Sequence, residues 1–261
     1  MKAIILSAGQ GSRLLPLTAR TPKCLLPVHD QNPALGFQLR AVAAAGVEKA
    51  CVVVGFGAPQ VEAYLQQNPI PGLHTVTLYN PFYAVADNLI SCWVARSQMQ
   101  SDFVLMNGDT LFAPSVLERL LAAPPALIAL AVNHKDEYDG DDMKVELAPS
   151  GRLEAVAKSL TPEQTNAESI GMMCFRGKGP EVFRDTLEDM VRSPDGLRSY
   201  YLAAINRIAA TGWVRSVPIR GDWWAEIDTV SDLMQVRAAL RHCALVQREP
   251  KHETALLARS A

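Results

Sequence analysis

The sequence predicts an α/β protein with a mostly parallel sheet and helices on both faces. Three observations carry this. Short apolar, strand-like runs alternate with helix-compatible segments through the first half, the order that builds parallel strands with crossover helices. Glycine and proline punctuate the joints between them. The 261 residues, 49% hydrophobic and 20% charged, can bury a large core of ordinary globular composition, as one large α/β domain or two small ones.

Taken in order, residues 3–6 form an apolar run that reads as a short buried strand. It breaks into Gly9-Gln10-Gly11-Ser12-Arg13. A helix over 33–45 stops at Gly46, a suitable C-terminal residue, and 50–54 is rich in strand formers. A helix over 59–67, a strand over 74–78, a helix over 87–99 and a strand over 103–106 follow. Next come a helix over 114–121 and a buried strand over 126–132. The pattern then changes. Residues 134–142 form a polar loop with Asp136, Glu137, Asp139, Asp141 and Asp142. Strands over 143–147 and 153–157 flank the hairpin turn Pro149-Ser150-Gly151, and another strand covers 169–175. Helices over 180–191 and 197–210, short strands over 213–219 and 223–227, and a closing helix over 230–245 complete the pattern. Beyond Gln247 the chain is polar and mixed, and a frayed tail over 247–261 is expected. No internal repeat or low-complexity linker is visible.

The bulk numbers exclude several classes. A net charge of −2 gives no electrostatic case for nucleic acid or an anionic membrane. The five cysteines, Cys24, Cys51, Cys92, Cys174 and Cys243, are scattered without a Cys-x-x-Cys pair. Neither a zinc site nor a disulfide framework is indicated, and Cys51 suits a reduced core thiol. Only Met1 and Lys2 precede the first strand, so no signal peptide is expected there. No apolar run is long enough to span a bilayer. A cytoplasmic enzyme is the expectation. The five histidines are dispersed, and no Ser-His-Asp or His-Glu-x-x-His arrangement supports a hydrolase.

The glycine loop carries the first chemistry. Gly9 and Gly11 permit backbone torsions other residues avoid and let N–H groups approach a ligand, which suits polyphosphate; Arg13 and Lys23 add positive charge. Position 14 is Leu, not the third glycine of a dinucleotide fingerprint, and the Gly-Lys-Ser/Thr of a P-loop is absent. The plain alternative is a tight strand-to-helix turn. The strand over 103–106 leads to Gly108-Asp109, where the carboxylate is either a Mg²⁺ ligand or a turn or N-cap residue. Asp228 follows Gly221-Asp-Trp-Trp-Ala-Glu-Ile and either binds a metal, caps the helix that starts near Val230, or does both. Asp87 could likewise cap its helix. The plain reading of Trp223 and Trp224 is that at least one belongs to the core; a tryptophan face could instead hold a quaternary ammonium by cation–π contact, with negative charge added by the acidic loop.

Leu6-Ser-Ala-Gly-Gln-Gly-Ser-Arg13, followed by Pro16-Leu17-Thr18 and Pro22-Lys23, resembles the signature loop of nucleotidyltransferases that make sugar nucleotides and CDP-alcohols. The resemblance extends to about residue 240. It implies a Rossmann-like sheet of the nucleotide-diphospho-sugar transferase type, in one domain over 1–246, with an NTP-binding half over 1–133 and an acceptor-binding half over 134–246. It implies that Ala8, Gly9, Gly11, Ser12 and Gly108 line the nucleotide site and that Arg13 and Lys23 contact its phosphates. Asp109 and Asp228 would be the two protein ligands to Mg²⁺. Asp142-Met143-Lys144-Val145, Gly151-Arg152, Ala157-Lys158 and Glu168-Ser169-Ile170-Gly171 are most like cytidylyltransferases for phosphocholine and inositol-1-phosphate. Lys158 then grips the acceptor phosphate, with Asp142, Lys144, Glu168 and Trp224 around the acceptor. Tyr83 to Ser91, with Asp87 and Asn88, resembles the same branch and supports CTP over UTP or dTTP. The catalytic set is thus Arg13, Lys23 and Lys158, working by alignment and charge neutralisation.

The residues leave three readings. The first is a cytidylyltransferase using CTP and phosphocholine or a related small phosphorylated alcohol. The second is a sugar-1-phosphate nucleotidylyltransferase using another NTP. The third is a catalytically silent nucleotide-binding subunit, against which the retention of Arg13, Lys23, Asp109 and Asp228 argues. A role for Asp141 and Asp142 at a second metal is left open, as is assembly into a homo-oligomer, since no heptad or long C-terminal repeat points to one.

Overall fold

Residues 1–241 are described in the computed structural model, and their apolar runs become strands covered by helices on both sides. The first half contains β1 (Lys2–Ser7), a small hairpin of β2 (Pro27–His29) and β3 (Asn32–Pro33), α1 (Ala34–Ala44), β4 (Lys49–Val54) and α2 (Ala58–Gln67). It continues through β5 (His74–Tyr79), α3 (Asn88–Val94), β6 (Phe103–Asn107), β7 (Thr110–Phe112), α4 (Pro114–Ala122) and β8 (Ile128–Asn133). The second half holds β9 (Lys144–Leu147), β10 (Leu153–Val156), β11 (Ala167–Phe175), α5 (Gly179–Val191) and α6 (Tyr201–Ala209). It closes with β12 (Val214–Pro218), β13 (Trp224–Glu226) and α7 (Val230–Arg241).

Strands β6, β1, β4 and β5 lie side by side and parallel, the arrangement the alternating first half predicts. Strand β11 then runs antiparallel to β6 and pairs with β8 on its other edge, and β8 in turn carries parallel β12. Because strand side chains alternate between faces, each run feeds two cores. Ala3, Ile5, Val52 and Met106 pack toward α1, α2 and α4. Ile4, Cys51, Val53 and Leu105 pack toward α3, α5 and α6.

Strand β11 changes partners along its length. Met173 pairs with Leu105 of β6 and Leu130 of β8, whereas Glu168 pairs with Lys144 of β9 and Asn133 of β8. So β6 and β9 share one edge of β11 at different heights, and the register breaks between Ser169 and Met173. Gly171, at φ 69°, lies in that break. The sheet therefore opens a gap beyond the carboxyl end of β6, where ligands of open α/β sheets collect.

A third core lies outside the sheet. Leu14, Leu26 and Val28 from the region after β1 meet Leu111 of β7, Ile227, and Leu233, Val236 and Leu240 of α7. This cluster ties the glycine-loop region to the segments after β6 and β13.

Several boundaries differ from expectation. The helix expected over 87–99 is α3 followed by a 3₁₀ turn, Ala95–Gln98. The helix expected over 197–210 begins only at Tyr201, after a 3₁₀ turn, Gly196–Arg198. The reason is tertiary. The N–H groups of Asp87 and Leu89, unsatisfied within α3, donate to the carbonyls of Leu197 and Ser199 at 2.8 and 3.2 Å, which holds the latter segment out of a helix. The β2–β3 hairpin and β7 were not expected; they are two or three residues long, too short for a period to register. Of the closing helix, residues 242–245 lie outside the described residues, as do Cys243 and the tail over 247–261. Among the described residues no helix is long and apolar enough to cross a membrane.

Leu233 is 1% exposed within the third core. Leu233→Ala is expected to lower the unfolding free energy by about 2–5 kcal/mol, the range for a cavity left by a buried leucine. Urea denaturation checks this, and a loss well below that range would mean α7 contributes little to the fold.

Candidate active site

Strand β1 delivers the glycine loop to the carboxyl edge of the parallel strands. Gly11 adopts the left-handed region at φ 76°, and a Cβ there would lie 2.9 Å from the Lys23 side chain. Glycine is required both for the turn and to let Lys23 pass beneath it. The buried Thr18 donates from Oγ1 to the Gly11 carbonyl at 2.7 Å and pins the loop. Gly108 is constrained as tightly, because a Cβ there would collide with the Leu6 carbonyl and the Ser7 side chain.

Lys23 is the centre of charge. Its ammonium lies 2.7 Å from Asp109 Oδ2 and 2.6 Å from Asp228 Oδ1, so residues 86 and 205 positions away in sequence converge on one nitrogen. Burial opposes the charge on Lys23, but Asp109 and Asp228 outweigh it and raise its pKa. Burial also raises the pKa of Asp228, while Lys23, Arg13 and Lys158 bring it below its ordinary value. Asp109 sits in a turn held from behind by the wholly buried Gln38 of α1, whose Nε2 donates to the carbonyls of Asn107 and Thr110 at 2.8 and 2.7 Å.

Asp228 does not cap α7. Asp232 Oδ2 accepts from the N–H groups of Asp228 and Thr229 at 3.0 and 2.7 Å, and Thr229 Oγ1 accepts from Asp232 N at 3.2 Å. This reciprocal cap satisfies the helix start. It leaves the Asp228 carboxylate free for Lys23, with its second oxygen 4.0 Å from Arg13. Asp87 occupies the N-cap position of α3 but makes no side-chain cap hydrogen bond.

Mg²⁺ takes oxygen ligands and keeps several waters, so two carboxylates suffice as its protein share. Asp109 Oδ1 is buried, and among the described residues no donor meets its lone pairs. Together with Asp228 it forms a donor set that fits such an ion. Among the described residues no group of three or more His, Cys, Asp or Glu side chains is arranged to hold a metal. Glu226 lies nearby on β13. Burial, then the charges of Asp109 and Asp228, push its carboxyl up to about 8.

Two cavities meet at this centre. A smaller one, about 190 Å³, is lined by Gly9, Gly11, Lys23 and Gly108. A larger one, about 420 Å³, is lined by Arg13, Lys158, Tyr200, Trp224, Glu226 and Asp228, among others. Asn88, Asn107 and Asp109 line both. Asp142 and Glu168 also border the larger cavity, clamped by Lys135 at 2.7 and 2.9 Å, and Glu168 accepts from Asn133 Nδ2 at 2.8 Å. Burial opposes the Lys135 charge, and its hydrogen bonds to the two carboxylates raise its pKa. At the rim, Asp141 lies 3.5 Å from Arg13 and 3.7 Å from Lys158.

Most residues expected at the site converge there, and four, Ala8, Ser12, Asp87 and Lys144, line neither cavity. Lys144 donates its ammonium to the Lys158 carbonyl at 3.0 Å and lines neither cavity; it supports the Lys158 backbone instead. Ala8 faces Phe56, whose N–H donates to its carbonyl at 2.9 Å. Asp87 lines neither cavity. Ser12 opens a 3₁₀ turn, Ser12–Leu14, which orients Arg13. Of the tryptophans, Trp223 packs edge-on to Phe37 in the third core and Trp224 borders the larger cavity. Sequence reasoning misses Gln38, Asn107, Lys135, Tyr200, Tyr201 and Glu226. Only Glu226 has a signal, because Trp224, Glu226 and Asp228 alternate onto one face of an extended segment.

A family model described as nucleotidyl transferase matches residues 2–124. CMP-5'-(3-aminopropyl)phosphonate synthase of Streptomyces rubellomurinus is 38% identical over 126 residues, 48% of this chain and 20% of its own length. Choline-phosphate cytidylyltransferase of Streptococcus pneumoniae is 33% identical over 112 residues, 43% of this chain and 46% of its own. The chain thus spans less than half the length of these two curated relatives. The solved inositol-1-phosphate CTP transferase of T. maritima superposes with a TM-score of 0.76 at 20% identity, covering 92% of this chain and 96% of its own. The fold is therefore the expected Rossmann-like type of the nucleotide-diphospho-sugar transferases.

The Glu226 carboxyl sets a sign for pH dependence. Its folded pKa of about 8 exceeds the ordinary 4.5, so across that window the unfolded chain gives up a proton that the folded one keeps. This contribution to stability falls as pH rises. In metal-free protein, Glu226→Gln is expected to gain thermal stability relative to wild type as pH climbs from 4.5 to about 8. Melting curves in chelator check it; a pH-independent difference would show Glu226 ionised in the folded state.

Proposed function

From the premise that residues 2–124 belong to the nucleotidyl transferase family, we propose that the protein is a magnesium-dependent cytidylyltransferase. It joins CTP to phosphocholine or a related small phosphorylated alcohol, giving a CDP-alcohol and pyrophosphate. The observation that carries this is the meeting of two cavities at Asp109, with Gly11 and Lys23 on one side and Lys158 on the other.

An oxygen of the acceptor phosphate uses a lone pair to bond to the α-phosphorus of CTP. The bond from that phosphorus to the β-phosphate oxygen breaks, and its electron pair leaves with pyrophosphate. The attacking oxygen is already ionised, so the chain need not supply a strong base. Its task is to align two polyanions that repel each other. Arg13, Lys23 and the N–H groups of the glycine loop hold the triphosphate, and Lys158 holds the acceptor phosphate. Asp109 and Asp228 would hold Mg²⁺, which when bound neutralises charge on the α-phosphate. The resemblance of the Tyr83–Asn88 segment and the cytidylyl chemistry in the relatives' names support CTP. Trp224, Tyr200 and the carboxylates of Asp141 and Asp142 surround the remainder of the larger cavity, a setting that suits a cationic alcohol. The CTP and the acceptor are small molecules, and a cytoplasmic setting, where CTP is made, belongs to the same proposal.

Pyrophosphate release, screened with the common NTPs against phosphocholine, phosphoethanolamine, inositol-1-phosphate and sugar-1-phosphates, tests the reading. Turnover is expected with CTP and a small alcohol phosphate. Silence with every such pair would refute the cytidylyltransferase reading, and turnover confined to a sugar-1-phosphate with another NTP would move the protein to the sugar-nucleotide branch. Asp109→Asn and Asp228→Asn are each expected to lower kcat on the order of 10²–10³-fold, the effect of losing one strong electrostatic contact, with melting behaviour showing the fold retained. Near-normal turnover in either would overturn the metal assignment.

A further inference from the structure

We propose that Asn107 is a catalytic residue, a neutral hydrogen-bond donor at the point of transfer, and that Tyr201 is its positioning residue. The inference rests on the nucleotidyl-transfer reading of the site. Asn107 is the last residue of β6 and lines both cavities. Its backbone is fixed on two sides, in register with Leu6 of β1 and as acceptor from Gln38 Nε2 at 2.8 Å.

Its side chain is fixed as well. The Tyr201 hydroxyl donates to Asn107 Oδ1 at 3.1 Å. Tyr201 is wholly buried, and its N–H donates to Asn88 Oδ1 at 2.9 Å, so its ring has no freedom to follow a wandering amide. With Oδ1 engaged, Nδ2 faces the opposite way, and among the described residues no acceptor in the chain meets it. Nδ2 lies against Gly171, where any Cβ would collide with it. That glycine occupies the break in β11 that opens the gap, so the clearance for the amide and the opening of the cleft share one cause.

A donor held there has a use. As the new O–P bond forms and the bond to pyrophosphate breaks, charge gathers on the oxygens around the α-phosphorus. A donor aimed in advance at that charge needs no reorganisation at the moment of reaction. The cations Arg13 and Lys23 attract every phosphate of the nucleotide, whereas an amide at the junction of the two cavities acts on the transferred one. The expected signature is therefore a loss in kcat with little change in KM for CTP.

The test compares wild type, Asn107→Asp and Tyr201→Phe with CTP and the acceptor that turns over in the screen. Asn107→Asp keeps an acceptor for the Tyr201 hydroxyl but removes the donor and brings a negative charge; kcat should fall about 10²-fold, and the uncharged Tyr201→Phe separates loss of the aimed donor from repulsion of CTP. Tyr201→Phe, which only frees the amide to rotate, should lower kcat about tenfold with KM for CTP unchanged. If Asn107→Asp does not fold, Tyr201→Phe decides alone. Wild-type kcat in the deciding variant, or a loss that appears in KM alone, overturns the role. Wild-type protein that transfers no nucleotide overturns the underlying function and this inference with it.

Discussion

The Lys23 ammonium between Asp109 and Asp228 is the interaction on which the rest of the site depends. It joins three segments that share no local sequence relation: the end of the glycine-loop region, the turn after β6, and the turn before α7. Lys23 is held by both carboxylates, so replacing one aspartate leaves it a partner, whereas removing the ammonium would leave two negative charges facing each other with no cation between them. A cluster of carboxyls this close is tolerable only with a cation among them. In the free protein Lys23 is that cation. Its strong pairing also means that any divalent ion taking both carboxylates must compete with an ammonium already in place.

The ion pair does not assemble itself. Leu111, Ile227 and Leu233 flank the two aspartates in sequence and pack with Leu14 and Leu26, which bracket Lys23. Non-directional burial supplies the stability, and the charges take the geometry that burial leaves them. The Thr229–Asp232 cap serves the same end by satisfying α7 without using Asp228. The opening of the cleft is likewise a backbone matter. At Gly171 β11 leaves β6, and past it β11 takes up β9, so one irregular strand separates the two cavities' walls while keeping them in one sheet.

Much of this is legible in the sequence. The unbroken apolar runs and their spacing specify the parallel core, and the glycine loop with Arg13 and Lys23 marks one wall of the cleft. Gly108-Asp109 and Asp228 stand out because each follows a strand. What is not legible is the set of residues that act through partners. Gln38 is one of several polar residues in a helix, and nothing local says that its amide spans a turn 69 positions away. Lys135 sits in an acidic loop, where a lysine reads as solvated; only the fold shows it clamping Asp142 and Glu168. Lys144 fails for the opposite reason. Its place beside Asp142 suggests a ligand contact, but a four-residue strand turns its side chain to a backbone carbonyl.

The charges of the site also differ in how firmly they are held. The centre is shielded: Lys23 is 15% exposed, and its contacts lie at 2.6 and 2.7 Å. The rim is open: Asp141 is 73% exposed and reaches Arg13 and Lys158 only at 3.5 and 3.7 Å. Exposed pairs of this kind contribute about 0–1 kcal/mol. Under the proposed reaction, replacing Asp141 by a phosphate at Arg13 and Lys158 would therefore cost little. Arg13 and Lys158 share a weakly held partner, whereas Lys23, Asp109 and Asp228 are held to one another at close range. That division, firm beneath and exchangeable above, is what the proposed reaction requires of a cleft that takes two highly charged substrates.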